Sequence, residues 1–373
     1  MKKVNILHIA SFTGNIGDNA SHIGFYSILD SLINYSITKL EMRKFYKNYK
    51  QKDKQYFDKN FIDYLNNFDI CFIGGGGFLD YHINDSKTGT TIDIDSSLIK
   101  YIKIPTYLVS MGSNPHKEIP LGNMDKYKLF LEEINKNPNI KIALRNDGSI
   151  DSIKNDLGSK YIENIEEILD HGFFFDLTET YPRIINNKYI AINITSDQIG
   201  MKSKLRKNMT MDSYYFELKK IVDYIIDYLN LDVVFIPHIY SDLNAILELF
   251  KIIDDSKIRN NISVAPLLQS DEGANKLFNI YKQSEQVIAT RFHANICSLV
   301  MDKKTIGLVV LDRIEYLHKS LGLEQSTVII QDNFSKRVIE LLEEEKMDCT
   351  NILLEKKDKT LNFYKKVLDK GNI

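Results

Sequence analysis

Val287-Ile-Ala-Thr-Arg-Phe-His-Ala-Asn295 decides how the rest of the chain is read. Val287 to Ala289 is short and apolar, as in a strand buried on both faces. Ala294 to Val300 continues with apolar positions at helical spacing. Thr290, Arg291, Phe292 and His293 therefore fall at a strand-to-helix turn. In an open parallel sheet, ligands gather outside the carboxyl ends of the strands, where helix N-termini present their first N–H groups. An arginine and a histidine at such a turn make an anion site with a titratable proton donor beside it. The competing reading is a surface arginine and a histidine that only starts a helix.

Outward from this turn the same alternation recurs. Val4–Ala10 reads as a first strand, followed by the turn Ser11-Phe-Thr-Gly-Asn-Ile-Gly-Asp18 and a helix over 19–32. That turn is not G-x-G-x-x-G, so the dinucleotide fingerprint is absent. Asp18 reads either as that helix's N-cap or as a group facing a ligand. Ile70 to Ile73 forms a strand running into four glycines, Gly74 to Gly77. Gly75 and Gly76 there would let a ligand or another chain segment approach bare backbone. Without a following Lys-Ser/Thr, the run is a poor phosphate loop. Strands at 105–111 and 140–144 end at Gly112 and Arg145. Residues 44–66 are crowded with Lys, Tyr, Asn and Asp and read as a solvated face. Residues 178–187 form the best linker. Beyond it come strands at 189–194, 232–236, 262–265, 287–289, 305–310 and 327–330, with helices between most of them. Helices over 335–345 and 353–369 close the chain.

Two successive strand–helix series predict an α/β fold of two doubly wound Rossmann-like domains facing a cleft, the GT-B-like layout. The expected parts are 1–178 (acceptor side), 188–345 (donor side) and a C-terminal helix within 346–373 that packs back on the N-terminal part.

Composition narrows the function classes. A chain of 373 residues is long for one core, and 43% apolar residues suffice for two. A formal charge of −2 gives no basic field for nucleic acid. Cys71, Cys297 and Cys349 are odd in number and far apart, which speaks against a disulfide framework. His and Asp residues are too dispersed to specify a metal site, and none is expected. There is no signal-peptide pattern and no run of ~18 apolar residues. The expected place is the cytoplasm, with peripheral contact at the inner face of the cell membrane left open. The basic run Lys202, Lys204, Arg206 and Lys207 reads as a solvated loop, with contact to a lipid pyrophosphate as the alternative.

Six short motifs fall in one order: Gly14-Asn-Ile-Gly-Asp18, the Gly74–Gly77 run with Phe78-Leu79, Met111-Gly-Ser-Asn-Pro115, Leu144-Arg-Asn-Asp-Gly-Ser149, Thr290-Arg-Phe-His-Ala294, and Asp312-Arg313 with Gly322 beyond. In this order they resemble the polysaccharide pyruvyl transferase family over about residues 4 to 323. The resemblance implies phosphoenolpyruvate as donor and no metal or organic cofactor. It implies a pyruvyl ketal formed on a sugar of a surface polysaccharide or its lipid-linked precursor. Carried over by position, Arg291 and the Phe292 backbone bind the donor, and His293 is the acid. Arg145 takes the place of the arginine in the family's Arg-Asp pair. The chain departs from the pattern at Asn146, usually Asp, and at Arg313, usually Lys. Arg313 keeps a cation able to bind carboxylate or phosphate by two bonds, but it is a poor proton donor.

Asp18 is the candidate base, with Asn15, Gly75, Gly76 and His238 added to the substrate-binding set. Homo-oligomerisation is left open. Two alternatives remain: a GT-B glycosyltransferase using a nucleotide sugar, with Asp271 or Glu272 on its ribose, and a non-catalytic glycan-binding member of the same fold.

Overall fold

A computed structural model of the chain describes residues 3–177, 181–199 and 209–369. Residues 178–180 of the expected linker and the basic run at Lys202, Lys204, Arg206 and Lys207 lie outside the described residues. The chain divides into two compact units. One comprises Met1–Phe12, Phe25–His171 and Leu354–Ile373, the other Thr13–Gly24 and Gly172–Leu353.

The first unit holds strands β1 (Val4–Ala10), β2 (Tyr35–Glu41), β3 (Ile70–Gly76), β4 (Thr106–Met111), β5 (Ile140–Arg145) and β6 (Ile165–Ile168) in the order β2-β1-β3-β4-β5-β6. The second holds β7 (Tyr189–Asn193), β8 (Asp232–Phe235), β9 (Ile262–Val264), β10 (Gln286–Ala289), β11 (Lys304–Val309) and β12 (Thr327–Ile329) in the order β12-β11-β10-β7-β8-β9. Every strand pair described is parallel. The second sheet shows why these strands are apolar throughout. Ile190, Ile192, Val233, Phe235 and Ile288 join one core, while Tyr189, Ala191, Val234, Ile236 and Val287 join another. Successive side chains enter opposite faces, and both faces are buried.

Three elements depart from the sequence reading. Strand β2 carries half-buried residues on a sheet edge, so it lacks the apolar run that marks its neighbours. Strand β6 is short and mixed, and the helix Asn123–Lys136 was not anticipated. Residues 44–66 are not merely a wet face: Phe45, Phe57 and Phe61 pack ring on ring, with Phe45 and Phe57 stacked at 4.2 Å. The many charged neighbours mask this cluster in the sequence. The helix Thr350–Val367 buries Phe363, Tyr364 and Val367 in the first unit. There Tyr107 donates its hydroxyl to Val367 O at 3.0 Å, and Leu169 N–H donates to Thr360 Oγ1 at 3.0 Å. Among the described residues no helix is long and apolar enough to cross a membrane.

One buried histidine gives the second unit a pH signature. His318 is fully enclosed, with Nε2 2.9 Å from Asn295 Oδ1 and Nδ1 2.7 Å from Ser326 Oγ. Gly307 makes room for it, since a Cβ there would stand 2.7 Å from Nε2. Burial pushes the imidazole down from its ordinary 6.5 to about 4. The unfolded chain therefore takes up a proton below about pH 6.5 that the folded chain refuses until about pH 4. The stability held above pH 6.5 is lost through that window. The urea midpoint should fall from pH 7 to pH 4.5, and His318→Gln should flatten this dependence. An unchanged slope in the variant would place the titration elsewhere.

Candidate active site

Counted within the second unit, the strand order is that of a doubly wound sheet in which direction reverses between the first strand, β7, and the fourth, β10. That reversal opens a crevice at the carboxyl edge. Asn193, the last residue of β7, closes the seam. Its side-chain oxygen accepts from the Arg291 N–H at 2.9 Å and the Thr290 hydroxyl at 3.1 Å, and its amide donates to Ile236 O at 2.9 Å. One asparagine thus fixes the ends of β8, β7 and β10 relative to each other.

Arg291 stands just before the helix Phe292–Val300, with its side chain 11% exposed. Its Nε donates to Asp242 Oδ1 at 3.1 Å, and Nη2 pairs with the same carboxylate and, at 2.8 Å, with Asp197. Asp242 is fully buried in the first turn of the helix Tyr240–Phe250, and its other oxygen accepts from His238 N–H at 2.9 Å. Burial alone would lower the guanidinium's pKa; the two carboxylates outweigh it and hold the group charged. Among the described residues Nη1 makes no hydrogen bond, so two of the five guanidinium donors face no protein acceptor.

His293 follows in the first turn, nearly buried, with Nδ1 3.8 Å from Asp18 Oδ1. The turn carrying Asp18 belongs to the same unit. The helix there starts at Ile16, earlier than the sequence reading placed it. Asn15, not Asp18, is the capping side chain: its oxygen accepts from Gly17 N–H at 3.0 Å, and its amide donates to Asp18 Oδ1 at 3.0 Å. Gly14 N–H is held by Gln269 Oε1 at 2.8 Å, and Asn19 donates to Asp271 at 3.1 Å. Gly17 is required by close approach, since a Cβ there would meet His293 Cβ at 2.6 Å and Nδ1 at 2.8 Å. Asp18, in the first helical turn, gains from the helix dipole as an anion.

The other residues singled out fall as follows. Phe292 is buried at the helix start, its ring edge-on to His293. Arg313 is half-buried in the first turn of the helix Asp312–Lys319, which follows β11, the strand beside β10. His238 is buried, its Nε2 2.9 Å from Tyr281 OH and its ring edge-on to Phe278. Burial, then the Arg291 and His293 charges, press its pKa well below the ordinary value, so it stays neutral. Asp271 pairs with Asn19, and Glu272 with Lys276 on the surface.

Arg145, Gly75 and Gly76 belong to the first unit. Arg145 is 3% exposed, with Nε 2.7 Å from Asp147 and Nη1 3.3 Å from Asp170. Asn146, where the family usually has Asp, accepts from Asp170 N–H at 3.1 Å, an acceptance its amide oxygen makes without a charge. Gly74 and Gly76 are closely approached by their neighbours: a Cβ on Gly74 would strike Val109 O at 1.8 Å, and one on Gly76 would strike the Phe78 ring at 2.7 Å.

The sequence profile of the polysaccharide pyruvyl transferase family matches residues 15–312. The chain belongs to this family. Its members are transferases that act on polysaccharide. No curated protein sequence matches the chain. Among solved structures it is similar to S. aureus MnaA with UDP, at 12% identity over 99% of this chain and 98% of that one, TM-score 0.57. It is also similar to a glycosyltransferase from Rickettsia africae, at 13% identity over 99% and 100%, TM-score 0.55. The UDP-GlcNAc 2-epimerase from Methanocaldococcus jannaschii gives 10% identity over 95% and 99%, TM-score 0.54. At such identities the likeness is one of fold, and this pyruvyl transferase family member shares the GT-B-like α/β architecture.

Asn193, Asp197 and Gln269 were missed in the sequence, where Asp242 is marked only by its place just after a strand end. The one signal for Asn193 is a polar residue inside the otherwise apolar run Tyr189–Ile194. Asp242 and Asp197 serve the same guanidinium at different depth, and their removal should differ accordingly. Asp242→Ala leaves a buried charge and should cost about 3–5 kcal/mol. Asp197→Ala removes a half-exposed partner and should cost about 1 kcal/mol or less. Urea denaturation of the two variants measures this; equal losses would contradict the buried pair.

Proposed function

We propose that the protein transfers a pyruvyl group from phosphoenolpyruvate to a sugar of a bacterial surface polysaccharide or its lipid-linked precursor. The observation that carries this reading is the Arg291–His293–Asp18 arrangement at the crevice of the second sheet, inside the segment matched by the family.

Phosphoenolpyruvate presents a phosphate and a carboxylate on a vinyl carbon. Such a ligand asks for a fixed guanidinium donor and helix N-terminal N–H groups. Arg291 Nη1 and the start of the helix Phe292–Val300 supply them, with Arg313 as a second cation. His293, as imidazolium, gives a proton to the methylene carbon, and the adjacent carbon becomes electrophilic. A sugar hydroxyl adds to that carbon and returns its proton to the imidazole. The phosphate leaves, a second hydroxyl closes the ketal, and its proton departs with the phosphate. Asp18 orients His293; as the base, it takes the second hydroxyl's proton and passes it to the departing phosphate. Asn15 positions Asp18. Arg145 and His238 act by holding the architecture, since both are enclosed by their own partners. Asp197 occupies the exposed side of Arg291, where it competes with an incoming anion.

The likeness to the MnaA–UDP complex and to the UDP-GlcNAc 2-epimerase supports a second reading, a nucleotide-sugar enzyme on the same fold. The decisive experiment is phosphate release from phosphoenolpyruvate measured with and without glycan acceptors. Acceptor-dependent release is expected. His293→Gln should lower kcat by about 10²–10⁴-fold, and Asp197→Asn should lower the KM for phosphoenolpyruvate. Thermal protection by UDP-sugars and none by phosphoenolpyruvate would favour the second reading.

A further inference from the structure

The first unit gathers three metal-ligating side chains that lie apart in the sequence. Asp80 and His82 follow β3, and His116 follows β4, the adjacent parallel strand. One ligand atom of each lies within 4.8 Å of the other two. His116 Nδ1 is 3.3 Å from Asp80 Oδ2, and the two imidazoles meet at 4.8 Å between ring centres, inclined by 72°.

The scaffold around them is fixed. Asp80 is 3% exposed, and its Oδ1 accepts from Asn114 N–H at 2.8 Å, which turns Oδ2 toward the histidines. Gly77 contributes by lacking a side chain, since a Cβ there would stand 3.0 Å from Oδ2. Tyr81, between the two ligands, is buried and stacks on Tyr127 at 5.1 Å. Its carbonyl, and that of Ile83, accept from the buried Asn123 amide at 3.1 and 3.0 Å. The backbone is therefore pinned on both sides of His82. His116 and His82 are half-buried, so solvent and ions reach the cluster.

We infer that Asp80, His82 and His116 form a binding site for one divalent transition-metal ion of the Zn²⁺ class. Two imidazoles and one carboxylate suit borderline ions, whereas Mg²⁺ and Ca²⁺ prefer all-oxygen sets. Ligand atoms on a tetrahedral Zn²⁺ stand about 3.4 Å apart, from bonds of about 2.1 Å. The Asp80–His116 pair already has that spacing, and rotation of the partly exposed His82 ring completes the set. Asn114 N–H, bonded to the other carboxylate oxygen, is the outer partner that such ligands carry. Three protein ligands leave a position for water or an oxygen of a bound molecule, as in catalytic rather than closed structural sites. The site lies at the carboxyl ends of β3 and β4, the edge of an open α/β sheet where ligands bind. The inference is independent of the donor chemistry proposed for the second unit.

The test uses the full chain, stripped with a chelator and desalted, then titrated with Co²⁺ while the visible absorption is followed. One equivalent should bind with ligand-field bands of low coordination number, and one equivalent of Zn²⁺ should displace it. His116→Ala and His82→Ala should each weaken binding by at least about 100-fold, with far-UV circular dichroism unchanged. His116→Gln, at a partly exposed ring, serves if an alanine variant fails to fold. No saturable Co²⁺ binding in the wild-type chain, or equal binding in folded His82 and His116 variants, would overturn the assignment.

Discussion

The buried Arg291–Asp242 ion pair is the interaction on which the carboxyl edge of the second sheet depends. A guanidinium at 11% exposure is tolerable only with a carboxylate beside it, and Asp242 is the one with no exposure at all. Because Asp242 also receives the His238 N–H, the same carboxylate sets the loop after β8 and the arginine after β10. Asn193 ties both to the end of β7. The arginine is thereby pre-oriented, and little side-chain entropy remains to be lost when an anion arrives.

The first sheet uses the same device for another end. Arg145 sits between Asp147 and Asp170 at 3% exposure, and Ser110 and Asn146 hold Asp170 in turn. Two arginines at strand ends look alike in a sequence. Burial separates them: Arg145 lies between two buried carboxylates, whereas Arg291 has one buried carboxylate and one exposed.

Much of the architecture was legible because parallel strands buried on both faces must be apolar along most of their length, as Tyr189–Ile192 and Ile70–Ile73 are. The edge strand Tyr35–Glu41 escaped that reading because it is only half-buried. The turn at Thr290–His293 was legible from its place between strand and helix. Its supports were not: Asp242 lies 49 residues and Asp197 94 residues away in the chain. The glycine run left two readings open, approach by a ligand or by another chain segment; the missing side chains of Gly74 and Gly76 make room for Val109 and Phe78. Gly17, within the motif Gly14–Asp18, is the glycine that lets His293 and the Asp18 turn approach. The cluster at Asp80, His82 and His116 likewise depends on β3 and β4 being neighbours, which residue spacing alone does not encode.

The central claim is that Arg291 and His293 face one small anionic donor at the reversal point of the second sheet. A crystal of the full chain soaked with phosphoenolpyruvate tests it most directly. An anionic group of the ligand should lie within about 3 Å of Arg291 Nη1, with its methylene carbon turned toward His293. Phosphoenolpyruvate bound away from the start of the helix Phe292–Val300, with Arg291 still closed on Asp197, would contradict it.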